Sequence, residues 1–290
     1  MAITIESVQV ATNAAANVTV TKPVDLAVSD LMVVHLSNYR ASSTSSAIAV
    51  PDGWTAITDN LQQDCDSGGA SMNIRALYKI ADAADVAASN FTFTSAGASQ
   101  FTGAIYRITG YAPTVNIDVA NSGASLNDAT PSFNITITPN YASDLLLFLV
   151  CAYGVPLTVS NYAVTTSNPS WTENYDRKDL TLLFSGASAT RPEITATGNA
   201  TCNLDSGDGT TESLAIMISI ANAISVTVSP AVVAITASVQ APAITGGSTM
   251  IISSPITITT SVNTVASVGT SDWNAKVKSS TTSFTNITKS

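Results

Sequence analysis

Along this chain, apolar and hydroxyl-bearing residues alternate with a period of two. Residues 17–21, 91–94, 134–138 and 256–260 set Val, Phe or Ile between Thr residues. Side chains of that kind at that period place one strand face on a core and dress the other with hydroxyls. Residues 145–153 form the longest apolar stretch, and it has strand length. The best helical segment, residues 80–88, is Ala-rich and only two turns long. The pattern predicts an all-β protein.

Two stretches follow one plan. The first runs Ser29-Asp30-Leu31-Met32-Val33-Val34, then Pro51-Asp52-Gly53-Trp54-Thr55, then Ala76-Leu77-Tyr78-Lys79. The second runs Ser143-Asp144-Leu145-Leu146-Leu147-Phe148, then Pro169-Ser170-Trp171-Thr172, then Leu180-Thr181-Leu182-Leu183-Phe184. Each offers a Ser-Asp turn opening a buried strand, a Pro-to-Trp-Thr corner, and a further strand. Each closes on one more, residues 103–108 and 213–220. The spacing suits sandwich domains of about 100 residues. The expected layout is therefore two tandem antiparallel β-sandwich modules of jelly-roll or Ig-like kind, residues 1–112 and 113–223. The second is a possible duplication of the first. One larger sandwich drawing on both halves is the rival layout.

Residues 224–290 differ. From residue 225 onward the net charge is +2, against −11 for residues 1–224. Ala234-Ile-Thr-Ala-Ser-Val-Gln240 is echoed by Thr257-Ile-Thr-Thr-Ser-Val-Asn263, each after a Ser-Pro pair. Such strands carry too little bulky apolar content for a core of their own, and they are more stable paired with something else. This segment is expected to dock or oligomerise through Trp273, Asn274, Lys278, Phe284, Asn286 and Lys289, which form a second echo at its end.

Charged residues make up only 11% of the chain and hydrophobic residues 45%, which excludes a disordered polymer. Eleven Lys and Arg against twenty Asp and Glu oppose nucleic-acid binding. No run approaches a bilayer-spanning length, so no membrane partner is expected. The opening residues Met1 to Glu6 lack a basic n-region and an apolar h-region, which points to synthesis and retention in a cytosol. Cys65, Cys151 and Cys202 lack C-x-x-C spacing and are expected as thiols.

Chemistry is sparse, and no catalytic residue is expected. His35, the only histidine, sits at Val33-Val34-His35-Leu36 without a nucleophile elbow. Most acidic residues stand in turn contexts such as Asp52-Gly53 and Asp208-Gly209. No cofactor is expected; the nearest to a case is calcium, with Asp64 and Asp66 in one Gly-bearing loop and Asp205, Asp208 and Glu212 in another, and neither has EF-hand spacing. Trp54 and Trp171, repeated at the two corners, read as core anchors. Tyr39, Tyr153, Tyr162 and Tyr175 could present an aromatic face to a glycan.

The run Asp30-Leu-Met-Val-Val, Pro51-Asp-Gly-Trp-Thr55, Tyr78-Lys-Ile-Ala-Asp82, Phe91-Thr-Phe-Thr94 and Gly103-Ala-Ile-Tyr-Arg107 resembles β-sandwich modules in structural proteins of tailed bacteriophages. The final residues, Phe284 to Ser290, are similar to C-terminal extensions of such proteins. The likeness covers most of residues 25–110 and 225–290, and residues 140–222 loosely. It implies a non-enzymatic virion protein made in the host cytoplasm: a capsid decoration or head-associated protein. Its implied partners are further copies of itself, as in a trimer, and virion proteins such as the major capsid protein. A tail-fibre or receptor-binding module recognising host-surface glycans is the alternative.

Overall fold

The computed structural model describes residues 2–41, 47–65, 69–114, 116–125, 131–154, 158–179, 182–191, 194–205 and 212–223. They belong to one compact unit, Met1–Ile224. Residues 224–290, including the six docking candidates from Trp273 to Lys289, lie outside the described residues.

The protein is all-β. In chain order the first half carries β1 (Thr4–Asn13), β2 (Asn17–Thr21), β3 (Leu31–Arg40), β4 (Thr55–Ala56), β5 (Leu61–Asp64), β6 (Ser71–Ile80), β7 (Asn90–Thr94) and β8 (Gln100–Thr109). The second half carries β9 (Ile117–Ser125), β10 (Asp144–Tyr153), β11 (Val159–Val164), β12 (Thr172–Asp179), β13 (Leu182–Arg191), β14 (Ala200–Leu204) and β15 (Glu212–Ile220). The helical segment of the sequence shrinks to α1 (Ala83–Ala87), whose first turn is closed by a capping box between Asp82 and Asp85.

Each half builds one large antiparallel sheet, ordered β1-β8-β3-β6-β4 with β5 also on β6, and β12-β13-β10-β15-β9. The two sheets face each other across a shared core. Leu31, Val33, Met72, Ile74, Tyr106 and Ile108 of the first pack with Leu145, Leu147, Leu149, Phe184, Ile216 and Ile218 of the second. The outer face of each sheet is covered too. The β2–β7 pair lays Val18, Val20 and Phe93 over Met32, Val34 and Leu36. The β11–β14 pair and residues 133–137 cover Leu146, Phe148 and Val150. The resulting order is four layers deep, and it explains the unbroken apolar runs of β3 and β10. A strand with both faces covered has no solvent side on which to place polar residues. Burying each such Leu, Val or Phe contributes about 1.5–3 kcal/mol.

The halves repeat each other in register. Leu31 lies between Ile80 and Ile108, and Leu145 lies between Thr190 and Ile220. Ser29 and Ser143 both adopt left-handed φ, 74° and 65°. Their N–H groups donate to the Ala81 and Arg191 carbonyls at 2.8 and 2.9 Å. The edge strands β1 and β9 carry bulges at the same place, around Glu6 and Asp118. By this register Tyr39 corresponds to Tyr153, and the two rings stack on each other at 5.2 Å and 8°. The Ser37 hydroxyl likewise lies against its counterpart, the Cys151 thiol. A residue that meets its own counterpart marks a two-fold relation, so an approximate two-fold passes between β3 and β10.

Candidate functional site

The most polar part of the shared core lies where β3 and β8 meet the β12–β13 side of the second sheet. His35 is fully buried. Its Nδ1 and the Tyr175 hydroxyl are 2.6 Å apart, and its ring stacks on Phe184 at 4.0 Å. Its Nε2 has no hydrogen-bond partner among the described residues, and the Tyr106 hydroxyl lies against that of Tyr175. Desolvation by burial holds His35 well below its ordinary pKa of 6.5. Burial also raises Tyr106 and Tyr175, so both phenols stay neutral. It pushes the Cys151 thiol up to about 12, which keeps the sulfur protonated and unreactive. Glycine makes this packing possible. A Cβ on Gly186 would lie 2.2 Å from the Tyr106 hydroxyl. Gly103 does the same on the outer face, where a Cβ would stand 3.0 Å from Val20.

A second polar feature occurs twice, with different chemistry. In the first half Asp30 accepts from Arg107 Nε at 2.6 Å and from the Ala27 N–H at 2.8 Å. By register Asp144 is the counterpart of Asp30, and Ser219 that of Arg107. Asp144 accepts from the Ser219 hydroxyl at 2.9 Å and from the Asn222 N–H at 3.2 Å. Burial, with Asp118 nearby, lifts Asp144 to about 6. Arg191, directly opposite Asp144 in the ladder, instead donates to Thr195 Oγ1 and the Ala196 carbonyl.

The corner tryptophans occupy corresponding places. Trp54 packs edge-on against Phe91 and Phe93 on the first half's outer core. Trp171 packs against Phe148 and donates its indole N–H to Asn168 at 3.0 Å. Beside it an open groove of about 590 Å³ is lined by Asn168, Ser170, Thr172, Ser188 and Thr190 among others, none of its lining residues titratable.

Comparisons with protein-family models, curated proteins and solved structures found no match to this chain.

The four tyrosines do not share one exposed face. Tyr39 and Tyr153 cover each other, Tyr175 turns inward to His35, and Tyr162 is 7% exposed and bonded to Ser185. Of the calcium candidates, Asp205 is exposed, Glu212 is half-buried at the start of β15, and Asp208 lies outside the described residues. Among the described residues no three His, Cys, Asp or Glu side chains gather as a metal site would require. Among them, too, no helix is long and apolar enough to cross a membrane. Cys65, Cys151 and Cys202 are buried and form no disulfide. The sequence offered His35 only as a lone histidine without a nucleophile elbow, and the structure buries it fully. Its partners Tyr106 and Tyr175 lie 71 and 140 positions further on, and no local spacing links them.

Proposed function

We propose that this chain is a non-enzymatic structural protein of a bacteriophage virion, a capsid decoration or head-associated protein that assembles through β-strand contacts. In this reading each half is a small sandwich-like module, and the two stand back to back as a rigid body. Residues 224–290 fasten it to further copies of itself and to virion proteins such as the major capsid protein. The observation that supports assembly best is the character of the sheet edges. β1 and β9 end their sheets, and each carries a single charged residue, Glu6 and Asp118. By contrast β12, also at an edge, carries Glu173, Asp176, Arg177, Lys178 and Asp179. Charged edges repel strand addition, and long edges with few charges invite it. Labelled full-length protein should decorate intact particles symmetrically, and protein lacking residues 225–290 should not. Full attachment of the shortened protein would overturn the docking role.

A glycan-binding tail module is the second reading, favoured by the hydroxyl-lined groove beside Trp171. Sugar-array binding lost on Asn168→Ala would establish it, and silence on such arrays would count against it.

A further inference from the structure

The internal repeat supplies a control for the buried polar cluster. By register His35 corresponds to Leu149, and Tyr106 to Ile218. Tyr175 pairs with Gly186, whose counterpart Ala76 accepts the Ile57 N–H at 2.9 Å, so Tyr175 corresponds to Ile57. The fold therefore fills this place twice, once with Leu, Ile and Ile and once with His, Tyr and Tyr. The apolar set satisfies the packing. The polar set leaves the buried His35 Nε2 without a partner among the described residues, which is costly. Stability alone does not account for it.

We propose that His35, with Tyr175 and Tyr106, is an acid-sensitive fastening between the two sheets, which loosens when the imidazole takes up a proton. Among the described residues no charged group acts on the ring, whose low proton affinity comes from burial. β12 presents Tyr175, β8 presents Tyr106 and Ala104, and β10 presents Cys151 two positions along β3, at Ser37. β6 contributes Ala76, and β13 contributes Phe184 and Gly186. None of these carries a charge, so an imidazolium here would have no carboxylate to pair with. One of its two N–H groups would lack an acceptor, and the Phe184 face would return only part of the lost hydration.

The sign follows from linkage. A base held neutral in the closed state takes its proton readily only once the contact opens. The contact is fully stable above about pH 6.5, and the opening equilibrium grows about tenfold per pH unit below it, until the closed state itself protonates. At pH 4.5 the contact would open roughly a hundredfold more often than at neutral pH.

The test is amide hydrogen exchange on the full-length protein between pH 7 and 4.5, corrected for intrinsic exchange and read over β3, β12 and β13. Two variants serve as references. His35→Leu, as at the counterpart Leu149, with Tyr175→Phe removes the titrating pair, and His35→Asn keeps a non-titrating partner for Tyr175 should the first fail to fold. Wild-type protection in these strands should fall about tenfold per pH unit relative to the variants. Parallel pH dependence in wild type and variants would overturn the proposal. So would a histidine NMR signal, unambiguous in a chain with one His, that titrates near 6.5 while the strands stay protected.

Discussion

Gly186 offers the sharpest test of how closely the two sheets approach. Gly186→Ala would place a methyl carbon 2.2 Å from the Tyr106 hydroxyl oxygen and 2.9 Å from Cε1 and Cζ of Tyr175. Gly186 has no left-handed φ, so the cost comes from space rather than backbone strain. Relief requires moving one ring by about 1 Å in a core without room for it, and overpacking of this kind costs about 1–3 kcal/mol. For a body of this size that is a melting point lower by about 2–4 °C per kcal/mol. Tyr106→Phe removes the nearest atom. It should cost at most about 1 kcal/mol alone, because that hydroxyl's polar contact is with the Tyr175 hydroxyl and is neutral. In the Gly186→Ala background it should recover about half of the loss, a coupling of roughly 0.5–1.5 kcal/mol by urea unfolding. At the counterpart position Ala76 already carries the methyl group, facing smaller neighbours. A Gly186→Ala protein that unfolds like wild type, or is not rescued by Tyr106→Phe, would refute the described approach of the sheets.

Three further outcomes follow from other sites. Asp144 binds its proton more tightly in the folded chain, so its contribution is greatest below pH 3.8 and is lost as pH rises towards about 6. The whole loss is at most about 3 kcal/mol, about half of it falls between pH 5 and pH 8, and Asp144→Asn should remove that half from the difference between urea midpoints at the two pH values. Acid thus favours the fold at Asp144 while loosening it at His35, and only a residue-resolved measurement separates the two. Arg107→Met should cost about 3 kcal/mol in urea unfolding at pH 7, because it leaves the largely buried Asp30 carboxylate without its cation. Trp171→Ala and Trp54→Ala should each lower stability by about 2–3 kcal/mol in the same assay, since both rings are half-buried over aromatic clusters.

The all-β character was legible because alternation with Thr at residues 17–21 and 91–94 leaves little other choice. The two Ser-Asp turns and the two Trp-Thr corners were legible as a repeated spelling, and they fall at matching register positions. The partnership of the two large sheets entered only as the rival layout, and nothing in the sequence chose it. Leu31 and Met32, adjacent in sequence, serve different cores, and a run apolar on both faces does not say which neighbour covers which side. The polar cluster was hidden for a related reason. Its three side chains come from β3, β8 and β12, and only the crossing of the sheets brings them together. The Asp30 and Asp144 pair shows the same limit: the turn is spelled alike in both halves, but the residue opposite changed from Arg107 to Ser219.

The shared core has a consequence for how the chain is made. When Thr109 leaves the ribosome, every strand of the first sheet exists, yet the face formed by Leu31, Val33, Ile74 and Ile108 has nothing to cover it. Its cover is complete only when Ile220 has been translated, about 6–20 s later at ordinary elongation rates. Throughout that interval the nascent half keeps an apolar sheet face open, and the surface that fits it is a second half on which no first half has yet closed. The rate of elongation from Thr109 to Ile220 therefore sets how long an apolar sheet face stands uncovered.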